Sequence, residues 1–200
     1  MAQVVKRFYT PEEYLALEEA ADYKSEYYDG EIFAMAGGSF NHNLIASNIT
    51  IALGNALEAK PCRVVGSDMR LHVKRNGRAN LVGEYTYPDV MVICGRPEFV
   101  PGRNDTVMNP ILIVEVLSPS TRDYDRVKKF ALYKQLDSLR EYVLVDSEQV
   151  HVTLLRRIEG TDKWTIEMYD DVEAVLQLES VDVQIPLRRM YNKVEFESET

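Results

Sequence analysis

Residues 111–136 read ILIVEVLSPSTRDYDRVKKFALYKQL, an apolar run, a polar loop and a helical pattern in succession. Six of the seven residues from Ile111 to Leu117 are apolar, and the seventh is Glu115. Such continuous apolarity predicts a strand covered on both faces. Alternation puts Ile113, Glu115 and Leu117 on one face and Val114 and Val116 on the other. A carboxylate buried there without a partner costs several kcal/mol. Glu115 must therefore meet a cation, a metal ion or a set of hydrogen-bond donors.

The helix predicted next, from about Asp123 to Gln135, offers the first partner. On a wheel turning about 100° per residue, Lys129 falls between Leu132, Tyr133 and Leu136, which form the apolar stripe. Lys129 is thus aimed at the interior, whereas Lys128 and Lys134 point away from the stripe. Asp125, one turn earlier, shares the face of Lys129. The intervening loop supplies Ser120, Thr121 and Asp123 as alternative helix caps.

A second acid, Asp89, stands in YPDVMVIC, residues 87–94. Pro88 precedes it and the apolar run Val90 to Cys94 follows, so Asp89 sits near the start of a strand. If that strand pairs with 111–117, Asp89 and Glu115 converge at one edge of the sheet. Two carboxylates that close repel and call for a divalent cation, Mg2+ or Mn2+, with its preference for oxygen ligands. Two carboxylates and a lysine around a metal suit phosphodiester hydrolysis, because the metal polarises a phosphoryl oxygen and acidifies a water. The lysine orients that water or steadies developing charge. The competing reading makes Glu115 and Lys129 a buried structural ion pair and Asp89 a turn or strand-edge residue.

The other elements are legible from local signals. Thr10, Pro11, Glu12 and Glu13 start a helix that runs to about Ala20. Asp29-Gly30 joins two short strands as a hairpin. Ile45, Ile49, Leu53 and Ala56 recur at helical spacing from about Asn41 to Ala59. A fourth strand, EYVLVDS, and a β-hairpin beginning at VHVTLLRR follow, and the tail from Val181 returns to short strands. The order predicts an α/β (α+β) fold with a mixed central sheet flanked by helices. With 200 residues, one domain with a core of about residues 23–155 is expected.

Composition narrows the function. The chain is 46% hydrophobic with net charge −9, so bulk charge gives no nucleic-acid signature. Lys60, Arg63, Arg70, Lys74, Arg75 and Arg78 form a cationic stretch, read as a solvated hairpin face. Cys62 and Cys94 have no zinc spacing and indicate no disulfide framework. The N-terminus lacks a signal-peptide core and no run is long enough to span a membrane, which predicts a reducing cytoplasm. There is no phosphate loop, GxSxG elbow, dinucleotide fingerprint or HExxH.

YPDVMVIC, IVEVLSPSTRDYDRVKKFALY and EYVLVD together resemble the PD-(D/E)XK nuclease superfamily, and within it the Uma family of restriction-endonuclease-like proteins. YKSEYYDGEIFAMAGGSFNHNLIASNI and CRVVGSDMRL extend the resemblance over about Tyr9 to Asp146. It implies a restriction-endonuclease-like core with an N-terminal helix and hairpin and a C-terminal hairpin. Asp89 matches the motif aspartate and Glu115 the first residue of the (D/E)XK element. The lysine position two residues after Glu115 is Leu117, and Lys129 on the following helix matches the relocated lysine. Glu26 matches a hairpin glutamate, either a further metal or water ligand or a residue of an exposed hairpin. His42 matches a histidine that opens the long helix, a catalyst or a hydrogen-bonded core residue; the helix N-terminus would favour its neutral form. Asp68 is a further candidate for the acidic cluster. The resemblance implies Mg2+ (or Mn2+) held by Asp89, Glu115 and the Val116 carbonyl, DNA as substrate, and a homodimer for a double-strand cut. The rival is a non-catalytic nucleic-acid-binding or assembly module on the same fold.

Overall fold

The computed structural model describes residues 7–74, 83–119 and 122–196. Helix α1 (Pro11–Ala20) is closed at its start by a reciprocal cap. The Thr10 hydroxyl accepts from the Glu13 N–H and the Glu13 carboxylate accepts from the Thr10 N–H. Strands β1 (Ser25–Tyr28) and β2 (Glu31–Ala34) form the expected hairpin. Its corner residues Asp29 and Gly30 take φ of 52° and 84°, the left-handed pair that a tight hairpin turn requires. Helix α2 (Phe40–Leu57) opens on Ser39, whose hydroxyl accepts from the His42 N–H.

The remaining strands are β3 (Cys62–Gly66), β4 (Arg70–Val73), β5 (Glu84–Thr86), β6 (Val90–Cys94), β7 (Thr106–Val107), β8 (Leu112–Leu117), β9 (Glu141–Asp146), β10 (Val152–Arg157), β11 (Trp164–Tyr169), β12 (Val175–Leu178) and β13 (Val183–Pro186). They form a six-stranded sheet ordered β11-β10-β9-β8-β6-β3, a five-stranded sheet ordered β2-β1-β5-β4-β7, and the β12–β13 pair. The six-stranded sheet is mixed: β8 and β9 run parallel, and the other neighbours are antiparallel.

All six residues of β8 are buried, as a strand covered on both faces requires. Val114 and Val116 join a cluster with Ile45, Ile49 and Leu53 of α2 and with apolar residues of β12 and β13. Ile113 and Leu117 join Leu132, Tyr133, Leu136 and Tyr142 on the opposite face. Each buried Leu, Ile or Val contributes about 1.5–3 kcal/mol. That core reaches Leu176–Tyr191, beyond the boundary near residue 155 read from the sequence.

The segment after β8 departs from the single α-helix expected. Tyr124–Lys129 is a π-helical turn, and α3 (Phe130–Tyr133) continues from it. A π turn bonds i to i+5 and is frequent at functional sites. Asp123 makes no side-chain cap bond, and Ser120 and Thr121 lie outside the described residues.

Three further expectations are corrected. Lys60–Arg78 is not one solvated face: β3 and β4 enter different sheets, and Arg70, on β4 of the antiparallel β4–β5 pair, is buried; residues 75–82 lie outside those described. Cys62 and Cys94 are direct cross-strand neighbours on β3 and β6 and are joined by a disulfide. A sequence separation of 32 hides that neighbourhood until the register is known. Lastly, Asp89 and Glu115 do converge, at the end where β6 begins, but between two inner strands and not along an outer one. No helix among the described residues is long and apolar enough to cross a membrane.

Candidate active site

The β6–β8 register builds the acidic pair. Val90 lies opposite Val114 in the antiparallel ladder, which brings Asp89, just before β6, alongside Glu115. The Val116 N–H donates to Asp89 Oδ2 at 2.8 Å, and the Asp89 N–H reaches Glu115 Oε2 at 3.4 Å. The strand end of β6 thus clamps one carboxylate with the backbone of β8 while β8 supplies the other.

Alternation turns Glu115 toward the π turn, where Lys129 waits. Lys129 Nζ lies 3.1 Å from Glu115 Oε1, 3.1 Å from Glu26 Oε1 and 3.3 Å from Asp125 Oδ1. Glu115 Oε1 also accepts from the Tyr133 hydroxyl at 3.0 Å, and that oxygen lies 3.0 Å from Thr86 Oγ1. Glu26 Oε1 accepts from the Tyr87 N–H at 3.2 Å. Its side chain is 7% exposed, so Glu26 is not a residue of an exposed hairpin face. Three carboxylates, from β1, β8 and the π turn, therefore surround one ammonium, and a fourth, Asp89 before β6, adjoins Glu115.

Electrostatics follow from that count. Burial pushes the Glu115 carboxyl well above its usual range; Lys129 opposes the shift, while Asp125, Asp89 and Glu26 add to it. For Lys129, burial works against the charge, but Glu115 and Glu26 more than offset it and the ammonium is retained. The acids outnumber the lysine, so the cluster keeps an excess of negative charge that a second cation would relieve.

His42 joins from the first turn of α2, with Nε2 3.3 Å from Asp89 Oδ2. Burial lowers its pKa, yet the hydrogen bond and charge of Asp89 outweigh burial and the net direction is upward. Asp89 therefore acts against the helix N-terminus, which by itself would favour the neutral imidazole. Gly38 leaves room for the ring, because a Cβ there would sit 2.6 Å from His42 Nδ1. Asp68 stands apart: it lies in the turn between β3 and β4, its side chain is 94% exposed, and it pairs with Lys24 at 2.5 Å.

These groups line a cleft of about 590 Å³ walled by Phe33–Gly38 on one side and the start of α2 on another. No group of three or more His, Cys, Asp or Glu side chains among the described residues is arranged as a complete metal cage. Mg2+ does not need one, since it is held by one or two carboxylates and keeps several waters. Among the described residues Asp89 Oδ1 accepts no hydrogen bond, and Glu115 Oε2 accepts only the long one from Asp89. The buried Tyr124 hydroxyl, also in the cleft, has no partner among them. Two under-used carboxylate oxygens, an excess of negative charge and an orphaned hydroxyl fit a hydrated divalent ion.

Two contributors were hidden in the sequence. Tyr133 counted only as part of the apolar stripe, yet its hydroxyl bridges Thr86 and Glu115. Tyr124 carried no signal at all. The spacing Asp125, Lys129, Tyr133, four apart, is the pattern from which a polar line along one helix face can be read.

Comparisons with known proteins agree with this fold. Residues 11–188 match the Uma2 family model, described as "Putative restriction endonuclease". The "Uncharacterized protein slr1290" of Synechocystis sp. (strain ATCC 27184 / PCC 6803 / Kazusa) is 36% identical over 189 residues, covering 94% of this chain and 93% of the relative. The "Uncharacterized protein sll1609" of the same strain is 36% identical over 166 residues, covering 83% and 90%. A crystal structure described as a "putative nuclease belonging to DUF820" from Anabaena variabilis ATCC 29413 has a TM-score of 0.70 at 19% identity, covering 91% of this chain and 97% of that one. That likeness establishes the shared fold. With 36% identity across most of its length and a family model spanning residues 11–188, the chain belongs to the Uma2 family.

Proposed function

We propose that the protein is a metal-dependent nuclease that hydrolyses phosphodiester bonds of DNA. The observation that carries this reading is the pairing of Asp89 with Glu115 by strand register, with Lys129 3.1 Å from Glu115. The family description and the nuclease named among the solved structures support it.

Asp89, Glu115 and the Val116 carbonyl would hold Mg2+ or Mn2+. Bound there, the ion supplies a Lewis acid for a phosphoryl oxygen and a water of lowered pKa. Lys129 remains charged and orients the attacking water or steadies charge on the phosphoryl oxygens. Glu26 and Asp125 fix the ammonium in place. Tyr133, itself anchored on Thr86, fixes the Glu115 carboxylate. His42 holds a proton at Nε2 against Asp89 and sets the orientation of that carboxylate.

One observation favours the non-catalytic alternative: Lys129 is enclosed by three carboxylates and only 7% exposed, as a structural ion pair would be. End-labelled DNA incubated with wild type, Asp89→Asn and Lys129→Met, in Mg2+ and in EDTA, separates the two. The nuclease reading expects Mg2+-dependent cleavage reduced roughly 100-fold or more in each variant. Wild-type protein that binds DNA but cuts in neither Mg2+ nor Mn2+ would establish the binding module instead.

A further inference from the structure

The shape and lining of the cleft say which form of nucleic acid it accepts. The acids and the lysine lie at its floor: the Glu115, Lys129 and Asp89 side chains are 3%, 7% and 14% exposed. The walls rise past them, through Phe33–Gly38 on one side and the π turn with Tyr124 and Lys128 on another. Phosphates on the flank of an intact duplex are held at the surface of a wide, stiff cylinder, whereas an unpaired strand is thin and bends into such a recess.

The wall nearest Lys129 carries an exposed aromatic ring that stacks on no other ring among the described residues. Phe33 on β2 lies directly opposite Glu26 on β1, so both side chains project from the same face of the hairpin with Cβ atoms about 5 Å apart. Glu26 points inward to Lys129. Phe33, one strand further out on the sheet edge, lines the cleft and is 42% exposed. A large apolar ring left open beside buried charges is what a stacking platform for a base requires.

Charge agrees. The chain carries net −9, so bulk charge does not favour the two backbones of a duplex. The cleft nevertheless presents two cations above its floor, Lys24 and Lys128, each within 6 Å of an aromatic ring, Tyr87 and Tyr124 respectively. Lys128 and Lys24, the latter shared with the exposed Asp68 carboxylate, line the cleft together with one exposed ring, combining phosphate-binding and base-stacking roles in the alternation of a single strand.

We propose that the cleft takes an unpaired strand of DNA, as a free single strand or a frayed or flapped end, and stacks one base on Phe33 next to the phosphate that is cut. This rests on the nuclease reading above and names its substrate form. Strands are then cut one at a time, and the homodimer expected for a double-strand cut is not required.

The test uses one fluorescein-labelled sequence as single strand, blunt duplex and duplex with a short flap, with the full chain as wild type, Phe33→Ala, Phe33→Leu and Phe33→Trp. Binding is read by anisotropy in Ca2+, and cleavage in Mg2+. The expected result is single strand and flap bound and cut at least tenfold better than blunt duplex. Phe33→Ala and Phe33→Leu should raise Kd and KM roughly tenfold, and Phe33→Trp should restore them, because stacking needs a ring and not merely apolar volume. An abasic position at the stacked base should weaken wild type by the same factor and leave Phe33→Ala no worse. Equal or better cutting of blunt duplex, or Phe33→Leu matching wild type, overturns the inference and leaves the nuclease reading standing. Single-strand binding that depends on Phe33 with no cleavage in any metal overturns the nuclease reading and leaves the inference standing. Binding of no DNA form overturns both.

Discussion

Replacing Lys129 with methionine removes one charge and leaves three carboxylates facing each other. The side chains of Glu26, Glu115 and Asp125 are 7%, 3% and 4% exposed, and each lies within 3.3 Å of the ammonium. Breaking a buried ion pair from one side costs about 3–5 kcal/mol, a large part of the roughly 5–15 kcal/mol that holds a domain together. For a chain of this length that corresponds to a melting point lower by on the order of 10 °C. The loss should depend on pH. Without the ammonium, which lowers it, the folded pKa of Glu115 rises further above the unfolded glutamate value, about 4.3. The folded state then binds more protons than the unfolded state above that value, so stability falls as pH rises. The deficit is therefore expected to be small near pH ~5 and full by pH ~8, read by urea unfolding at both. Adding Glu115→Gln should recover part of it, because a neutral amide replaces the most deeply buried acid. Lys128→Met, on the exposed side of the same turn, should stay within about 0.5 kcal/mol of wild type. A Lys129→Met protein as stable as wild type at high pH, with no pH dependence of the difference, would refute the argument that this lysine neutralises the cluster.

Other consequences are equally concrete. Asp89→Asn keeps an oxygen for the Val116 N–H, so it should fold normally while calorimetry shows Mn2+ binding largely lost; retained binding would move the metal elsewhere. Tyr133→Phe deletes the hydroxyl between Thr86 and Glu115 and should cost about 1.5–3 kcal/mol in unfolding experiments. Opening Cys62–Cys94, which closes a separation of 32 residues, should cost about 3.7 kcal/mol by the loop-closure relation, with β3–β6 amide protection retained. The Arg103 guanidinium beside Asp105 holds that carboxyl down to about 2. Its contribution is present above pH 3.8 and lost as pH falls through about 2; because Asp105 is 46% exposed, Asp105→Asn should cost no more than about 1 kcal/mol at neutral pH and nothing at the acid end.

Much of this was legible because the physical penalties are local. An acid inside ILIVEVL cannot be left alone, and the strand period alone decided which face it uses. The wheel aimed Lys129 inward even though the segment is a π turn, since its placement depends on Leu132 and Tyr133 downstream, which are α-helical. The pairing of Asp89 with Glu115 needed only antiparallel strands and the position of Pro88. What stayed hidden depends on long-range register or on sheet membership. Cys62 and Cys94 become neighbours only through the β3–β6 ladder. Arg63 and Arg70 sound like one hairpin in sequence but enter two sheets. Asp68, one turn from both, ends in solvent beside Lys24. The direction of the His42 shift was hidden because its helix terminus is visible in sequence and its contact with Asp89 is not.

Crystals soaked in Mn2+ and measured for anomalous scattering test the acid pair most directly. One strong peak is expected in the cleft beside Asp89, Glu115 and the Val116 carbonyl, absent from Asp89→Asn crystals. A cleft without density, or a peak held by other residues and unchanged in that variant, would contradict it.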